Sequence, residues 1–179
     1  MKAVLDACVI YPTVLREVLL GAARAGLYTP LWSARILEEW AWAARKLGPA
    51  QEARARGEVA LTRAAFPKAE VPAAPALEAR LWLPDPSDVH VLATAIAGSA
   101  DAIVTFNAVD FPRGLLAEEG LDRLDPDGFL LGLPDRETVA GVCEAVRVEA
   151  ERLSGQPQLL RALMKRAGLP RLGKALQPG

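Results

Sequence analysis

Six side chains with oxygen donors recur at places where a chain of this pattern could bring them together: Asp6, Glu39, Asp88, Thr105, Asn107 and Asp110. Carboxylates gathered at one point repel one another, and such a group is stable only when cations neutralise it. Oxygen ligands of this hardness select Mg2+ or Mn2+. Two such ions about 3.5–4 Å apart can activate water and stabilise the leaving oxygen in phosphodiester hydrolysis. The chemistry therefore belongs to the group rather than to any one acid. Each member also has a plain structural reading. Asp6 follows a strand, where a turn-forming or capping Asp is common. Asp85-Pro-Ser-Asp88 reads as a capping arrangement, with Asp85 as N-cap and Asp88 reaching back from the first turn. Asp110 could initiate the Asp-Phe-Pro turn.

The elements that must position these residues are legible from periodicity. KAVLD predicts a short buried strand stopped by Asp6, and Pro12 then suits the first turn of a helix running to Gly26. LYTPLW is β-like, with Pro30 placing it at an edge. Ser33 is a good N-cap for ARILEEWAWAARKL, ending at Gly48-Pro49. A charged helix is expected from about Gln51 to Phe66, then a Pro-rich irregular stretch. DPSDVHVLATAIAGSADAIVTFNAVDFP reads as cap, helix, Gly stop, buried strand (AIVTF) and loop. A short helix after Arg113, a strand near Leu121 to Leu124, and helices from about Asp135 and Pro157 complete the chain. This alternation predicts a parallel sheet with helices on both faces, and in such sheets ligands bind beyond the carboxyl ends of the strands. Asp6, Asn107 and Asp110 follow strands, Asp88 opens the helix before AIVTF, and Glu38 and Glu39 lie in the helix after the second strand. Helical geometry separates the last two. Glu39 lies roughly 110° from the centre of the apolar stripe and Glu38 roughly 150°, so Glu39 borders the buried side.

VLDACVIYP, SARILEEW, LPDPSDVHVLATAIAGSADAIVTFNAVDFP and PDGFL, in this order, resemble the successive motifs of PIN domains, in particular those of VapC-type toxins. The resemblance covers roughly residues 1–131 as the PIN domain and leaves 132–179 as a C-terminal helical extension. It implies a three-layer α/β/α fold with a central parallel sheet, Mg2+ or Mn2+ dependence, and cleavage of single-stranded RNA as a metal-dependent endoribonuclease, the toxin of a type II toxin–antitoxin system. Position by position, Asp6 matches the first family acid, Glu39 the second and Asp88 the third. Many family members carry an acid where this chain has Asn107, a neutral and weaker cation ligand; Asp110 matches a further acidic place and offers the missing charge. Asp6, Glu39, Asp88 and Asp110 are thus the expected catalytic set, with Asp6, Asp88, Asp110 and Asn107 as metal ligands. Thr105 has two readings: it orients a neighbouring carboxylate by hydrogen bond, or it packs as a β-branched strand residue. The same resemblance implies a cognate antitoxin protein and a homodimer as partners.

Composition bounds the rest. The 179 residues are 51% hydrophobic and 24% charged, which fits a globular chain. Apolar runs fall short of the ~20 residues a membrane span needs, and the N-terminus carries Asp6 in its first apolar stretch, unlike a signal peptide; a cytoplasmic location is the expectation. Two distant cysteines and a single histidine exclude a zinc-finger pattern and leave hydrolytic chemistry to carboxylates. The net charge is −1, but residues 157–179 carry five basic side chains (Arg161, Lys165, Arg166, Arg171, Lys174) and no acid, which leaves −6 on residues 1–156. RNA held by its phosphates needs positive charge near the acids, for which Arg35, Arg45, Lys46, Arg113 and the tail are candidates, against the plain reading of solvated helix faces. Trp32, Trp40 and Trp42 read as core or interface side chains. Two rival functions stand beside the nuclease. One is a catalytically weak or inactive PIN-like module that binds RNA or protein, motivated by Asn107. The other, a phosphotransferase of the haloacid dehalogenase type, needs a second Asp where this chain has Cys8.

Overall fold

A computed structural model describes residues 1–177. Along the chain run β1 (Lys2–Leu5), α1 (Ala7–Ile10), α2 (Thr13–Arg24), β2 (Thr29–Leu31), α3 (Ala34–Arg45), α4 (Pro49–Ala65) and α5 (Pro75–Glu78). A 3-10 turn (Pro86–Asp88) leads into α6 (Val89–Ala97), β3 (Ala102–Val104), α7 (Arg113–Glu118) and β4 (Asp122–Leu124). Then follow α8 (Pro126–Gly132), α9 (Arg136–Ser154), α10 (Leu160–Arg166) and α11 (Pro170–Leu176). The chain divides into two compact units, Met1–Tyr11 with Thr29–Leu124, and Pro12–Tyr28 with the chain from Asp125 onward.

The first unit is built on a parallel four-stranded sheet of order β2-β1-β3-β4. β1 and β3 are its central strands, and Ala3, Val4, Leu5, Ala102, Ile103 and Val104 are all fully buried. Continuous apolar strands of this kind suit a parallel sheet covered on both faces, and the fold is of the expected PIN-like α/β/α class. β2 is an edge strand, which accommodates Pro30 without a missing ladder bond. Ser33 caps α3 by accepting from the Ile36 N–H at 3.2 Å. α6 buries His90, Val91, Leu92, Ala93, Thr94 and Ala95, in keeping with its nearly all-apolar sequence.

Three local expectations change. The strand AIVTF shortens to Ala102–Val104: Thr105 still donates its N–H to the Leu124 carbonyl at 3.0 Å, but the Phe106 N–H already turns to Cys8 Sγ and the loop begins there. Gly98 ends α6 without a left-handed backbone; that conformation falls to Ser99, at φ +50°. What requires glycine at 98 is space, since a Cβ there would lie 2.9 Å from Leu31 Cδ1 and 3.1 Å from the Thr94 carbonyl oxygen. The Pro-rich stretch before Asp85 carries one short helical turn, α5.

The second unit packs α2 with α8–α11. Gly21 of α2 permits a close helix approach, because a Cβ there would fall 2.5 Å from Val142 Cγ1 of α9. Tyr28 donates to the Leu19 carbonyl at 2.9 Å and meets the Phe129 ring edge-on at 4.7 Å. Two helices here, α8 and α11, have no counterpart in the periodicity reading. They are tied by Asp127, a buried carboxylate that accepts from the backbone N–H groups of Arg171 and Leu172, each at 2.8 Å, and so caps α11. No helix among the described residues is long and apolar enough to cross a membrane.

Candidate functional site

The carboxyl ends of β1 and β3 are neighbours because the two strands pair in register, Leu5 opposite Val104. Asp6 continues that pairing with its N–H donating to the Val104 carbonyl at 3.1 Å, and its own carbonyl accepts the first helical bonds of α1. Its side chain caps nothing. Instead Oδ2 accepts from the Thr105 hydroxyl at 2.7 Å and from the Cys8 thiol at 3.2 Å, in a pocket that leaves Asp6 only 7% exposed. Thr105 therefore makes the hydrogen bond that one of its two readings required, and its oxygen also accepts from the Asn107 N–H at 2.9 Å. Burial first, and then the Asp6 charge, push the Cys8 thiol up to about 12, so Cys8 serves Asp6 as a protonated donor.

The loop after β3 carries Asn107 and Asp110. The Asn107 side-chain amide donates to Asp110 Oδ2 at 2.5 Å and to Asp88 Oδ2 at 3.1 Å, bridging two carboxylates. Arg123 of β4 braces this loop through bonds to the carbonyls of Ala108 and Phe111.

Asp88 ends the 3-10 turn and makes no capping bond of its own. Asp85 does cap, accepting from the Ser87 N–H at 2.8 Å and the Ser87 hydroxyl at 2.7 Å, which holds its carboxyl below the usual range. The turn thus leaves the Asp88 side chain out of capping, where Asn107 reaches it, while anchoring Asp85 beside it. Asp85, Asp88 and Asp110 each offer an oxygen within 4.8 Å of the others. Full negative charges that close repel one another unless a proton or a cation intervenes. Asp88 registers this: burial first, then the charges of Asp6, Asp85, Asp110 and Glu39, push its carboxyl from 3.8 up to about 6.

Glu39 comes to the same neighbourhood from α3. Its Oε1 lies 2.9 Å from His90 Nε2 and 3.4 Å from Arg35 Nε. The His90 contact is short but poorly aligned, since neither ring nitrogen of this 3%-exposed histidine has a well-directed partner. Glu38, by contrast, faces away and is held by Arg56 at 2.8 and 3.0 Å. Arg35 also donates to the Ser87 carbonyl at 3.1 Å, linking α3 to the turn that carries Asp85 and Asp88. Arg113 opens α7 as an exposed side chain.

Of the residues singled out in the sequence, Asp88 and Asp110 fall within the tight group, with Asn107 between them. Asp6 and Glu39 stand outside it yet close enough for their charges to reach Asp88. Asp85 was read only as a cap and His90 only as a lone histidine. The signal for Asp85 lay in the same four-residue turn: two acids three positions apart open the same helix, and only one of them is needed as its cap. All donors in the tight group are carboxylate oxygens and the excess charge is negative, so the group fits a hard divalent cation.

A layered α/β protein with acids gathered beyond the carboxyl ends of its central strands is the class defined by this fold and site. A family profile for the PIN domain matches residues 2–108, more than half of the chain, and the protein belongs to the PIN domain family. PIN domains are generally metal-dependent nucleases. Neither the curated proteins nor the solved structures contain a match to this chain.

Proposed function

We propose that this chain is an Mg2+- or Mn2+-dependent endoribonuclease of the VapC-like branch, acting as the toxin of a type II toxin–antitoxin pair in the cytoplasm. The observation that carries the nuclease reading is the gathering of Asp85, Asp88 and Asp110, whose carboxylate oxygens lie within 4.8 Å of one another with Asn107 bridging two of them, beyond the ends of β1 and β3. The toxin reading rests on the resemblance of the motifs, and with it come a cognate antitoxin, a homodimer, and the division into a PIN domain (1–131) and an extension (132–179). The last two residues of that extension lie outside the described residues.

In this reading Asp6, Asp88, Asp110 and the Asn107 side-chain oxygen would hold the metal, Asn107 after rotation of its amide, and Asp85 adds charge beside them. Bound there, Mg2+ or Mn2+ supplies the positive charge that activates water and offsets charge building on the phosphodiester. Thr105 and Cys8 fix the Asp6 carboxylate by donating to Oδ2. Such outer partners typically contribute 10–100-fold to metal affinity or activity. Glu39, held by Arg35 and lying beside His90, accepts the proton from the attacking water. Arg113 is the better phosphate contact of the two arginines singled out, since Arg35 is engaged with Glu39 and Ser87. Purified protein with Mg2+ or Mn2+ should cut single-stranded RNA, and Asp6→Asn should lose about 100-fold or more of that activity. Equal cleavage by the variant would overturn the assignment.

A second reading has its own observation. The Asn107 amide already satisfies Asp88 and Asp110 by hydrogen bonds, as expected of a module that binds without cutting. Calorimetric titration with Mn2+ separates the two, because this version predicts no heat of binding at millimolar metal.

A further inference from the structure

Three aromatic side chains are exposed among the described residues: Trp42 (57%), Trp82 (66%) and Phe106 (47%). Each stands within three positions of a site residue, Trp42 after Glu39, Trp82 before Asp85, and Phe106 between Thr105 and Asn107. Chain geometry keeps the Trp82 Cα within about 11 Å of that of Asp85, and Phe106 one residue step, about 3.8 Å, from both of its neighbours. The Phe106 backbone is braced, with its N–H donating to Cys8 Sγ at 3.4 Å and both neighbours tied into the acid network. The Trp42 ring is covered by the Arg45 guanidinium at 5.1 Å. Neither Trp82 nor Phe106 meets another ring or a cation among the described residues. Two aromatic faces are thus held bare in solvent beside the acids.

The charge distribution gives those faces a use. Around Asp88 the acids Asp6, Glu39, Asp85 and Asp110 are gathered, so without a cation the site itself repels phosphates rather than drawing them in. Contacts indifferent to charge then add to a phosphate contact such as Arg113, and a flat aromatic face takes a nucleobase by stacking when that base is unpaired. We propose that Phe106 and Trp82 are stacking platforms that seat unpaired nucleobases of a single-stranded nucleic acid next to the acid group. The inference rests on the nuclease reading of the same site and assigns side chains to its expected single-strand preference: a duplex, whose base faces are already stacked, offers these rings nothing to stack on. Binding that leans on stacking also has a shallow salt dependence, since each neutralised phosphate of a single strand would add about −0.7 to the slope.

The test is equilibrium binding, by fluorescence anisotropy in EDTA, of wild-type protein to four labelled probes: a short single-stranded RNA, the same sequence as single-stranded DNA, the RNA with abasic sites, and the RNA duplex. Single strands should bind and the abasic and duplex probes should bind markedly more weakly. Phe106→Ala and Trp82→Ala should each weaken single-strand binding about 5- to 100-fold, Phe106→Tyr and Trp82→Phe should restore most of it, and Trp42→Ala should change nothing. A preference for RNA over DNA that keeps this aromatic dependence supports the proposal and names the strand. Binding that is unaffected in the alanine variants, equal for abasic or duplex probes, or absent in wild type overturns it. Thermal melts of the variants confirm folding. Cleavage with Mn2+ is scored separately: aromatic-dependent binding without cleavage removes the nuclease reading and leaves the platforms, whereas cleavage without aromatic dependence does the reverse.

Discussion

Replacing Asp88 by Asn should stabilise the metal-free protein and destabilise the metal-loaded one. Without a cation, Asp88 sits at about 6 because burial and four neighbouring carboxylates oppose its ionisation. Its folded-state value lies above the unfolded one, so the folded chain holds this proton more tightly. The resulting cost to stability is absent below about pH 4, grows through pH 4–6 and is complete above about pH 6. Raised from 3.8 to about 6, the group carries at most ~3 kcal/mol at neutral pH. Solvent reaches the half-buried carboxyl, and screening reduces that figure to about 1–1.5 kcal/mol. Asn removes the charge and keeps a polar partner for Asn107, so Asp88→Asn should raise the melting temperature at pH 7.5 in EDTA by about 2–5 °C, an advantage that shrinks as pH falls towards 4. Divalent metal reverses the order. Wild type gains about 2.7 kcal/mol at a metal concentration 100 times its Kd, and the variant, short of one ligand, gains less. Calorimetric melts of both proteins, in EDTA and in saturating Mn2+, read both signs. A variant less stable than wild type in EDTA would refute the reasoning, as would a wild-type melt that Mn2+ leaves unmoved.

Asn107→Asp exchanges two hydrogen bonds to carboxylates for a further negative charge; it should lower metal-free stability by about 2–3 kcal/mol and tighten Mn2+ binding in calorimetric titration. Looser Mn2+ binding by this variant would count against Asn107 lying at the metal. Asp127→Ala leaves the backbone N–H groups of Arg171 and Leu172 without their acceptor, and hydrogen exchange should show α11 less protected by about 2–4 kcal/mol with Mn2+ binding unchanged. Cys8, pushed up to about 12, should react with iodoacetamide at neutral pH about 1,000-fold more slowly than an ordinary exposed thiol near 8.5, as timed by mass spectrometry. Rapid alkylation of Cys8 would show that Asp6 lacks its thiol donor.

The strands and the main helices were legible because their signals are local. Apolar runs such as AVL and AIV, set between helical patterns, suit strands of a parallel sheet buried on both faces, and Ser33, Asp85 and Asp135 announce helix starts by side chains that reach only two or three residues onward. The separation of Glu39 from Glu38 was likewise a matter of angle along one helix, and their different partners follow it. α8 and α11 went unread, and for α11 the reason is that its cap is Asp127, more than forty positions away in the chain, a partner that no local signal announces.

At the site, sequence determined which residue types were available and at which ends of which elements they stand. That is enough to nominate Asp6, Glu39, Asp88 and Asp110, since ligands of a parallel sheet bind beyond the carboxyl ends of its strands and the motifs resemble those of PIN domains. Tertiary structure decided the rest: that Asp85 joins Asp88 and Asp110 within 4.8 Å, that Asn107 bridges two of them, and that Trp82 and Phe106 stay uncovered. The physical reason is that Coulomb repulsion and hydrogen bonding depend on distances of a few ångströms between segments far apart in the chain. Those distances are fixed only when β1 and β3 pair and the turn before α6 is set against them.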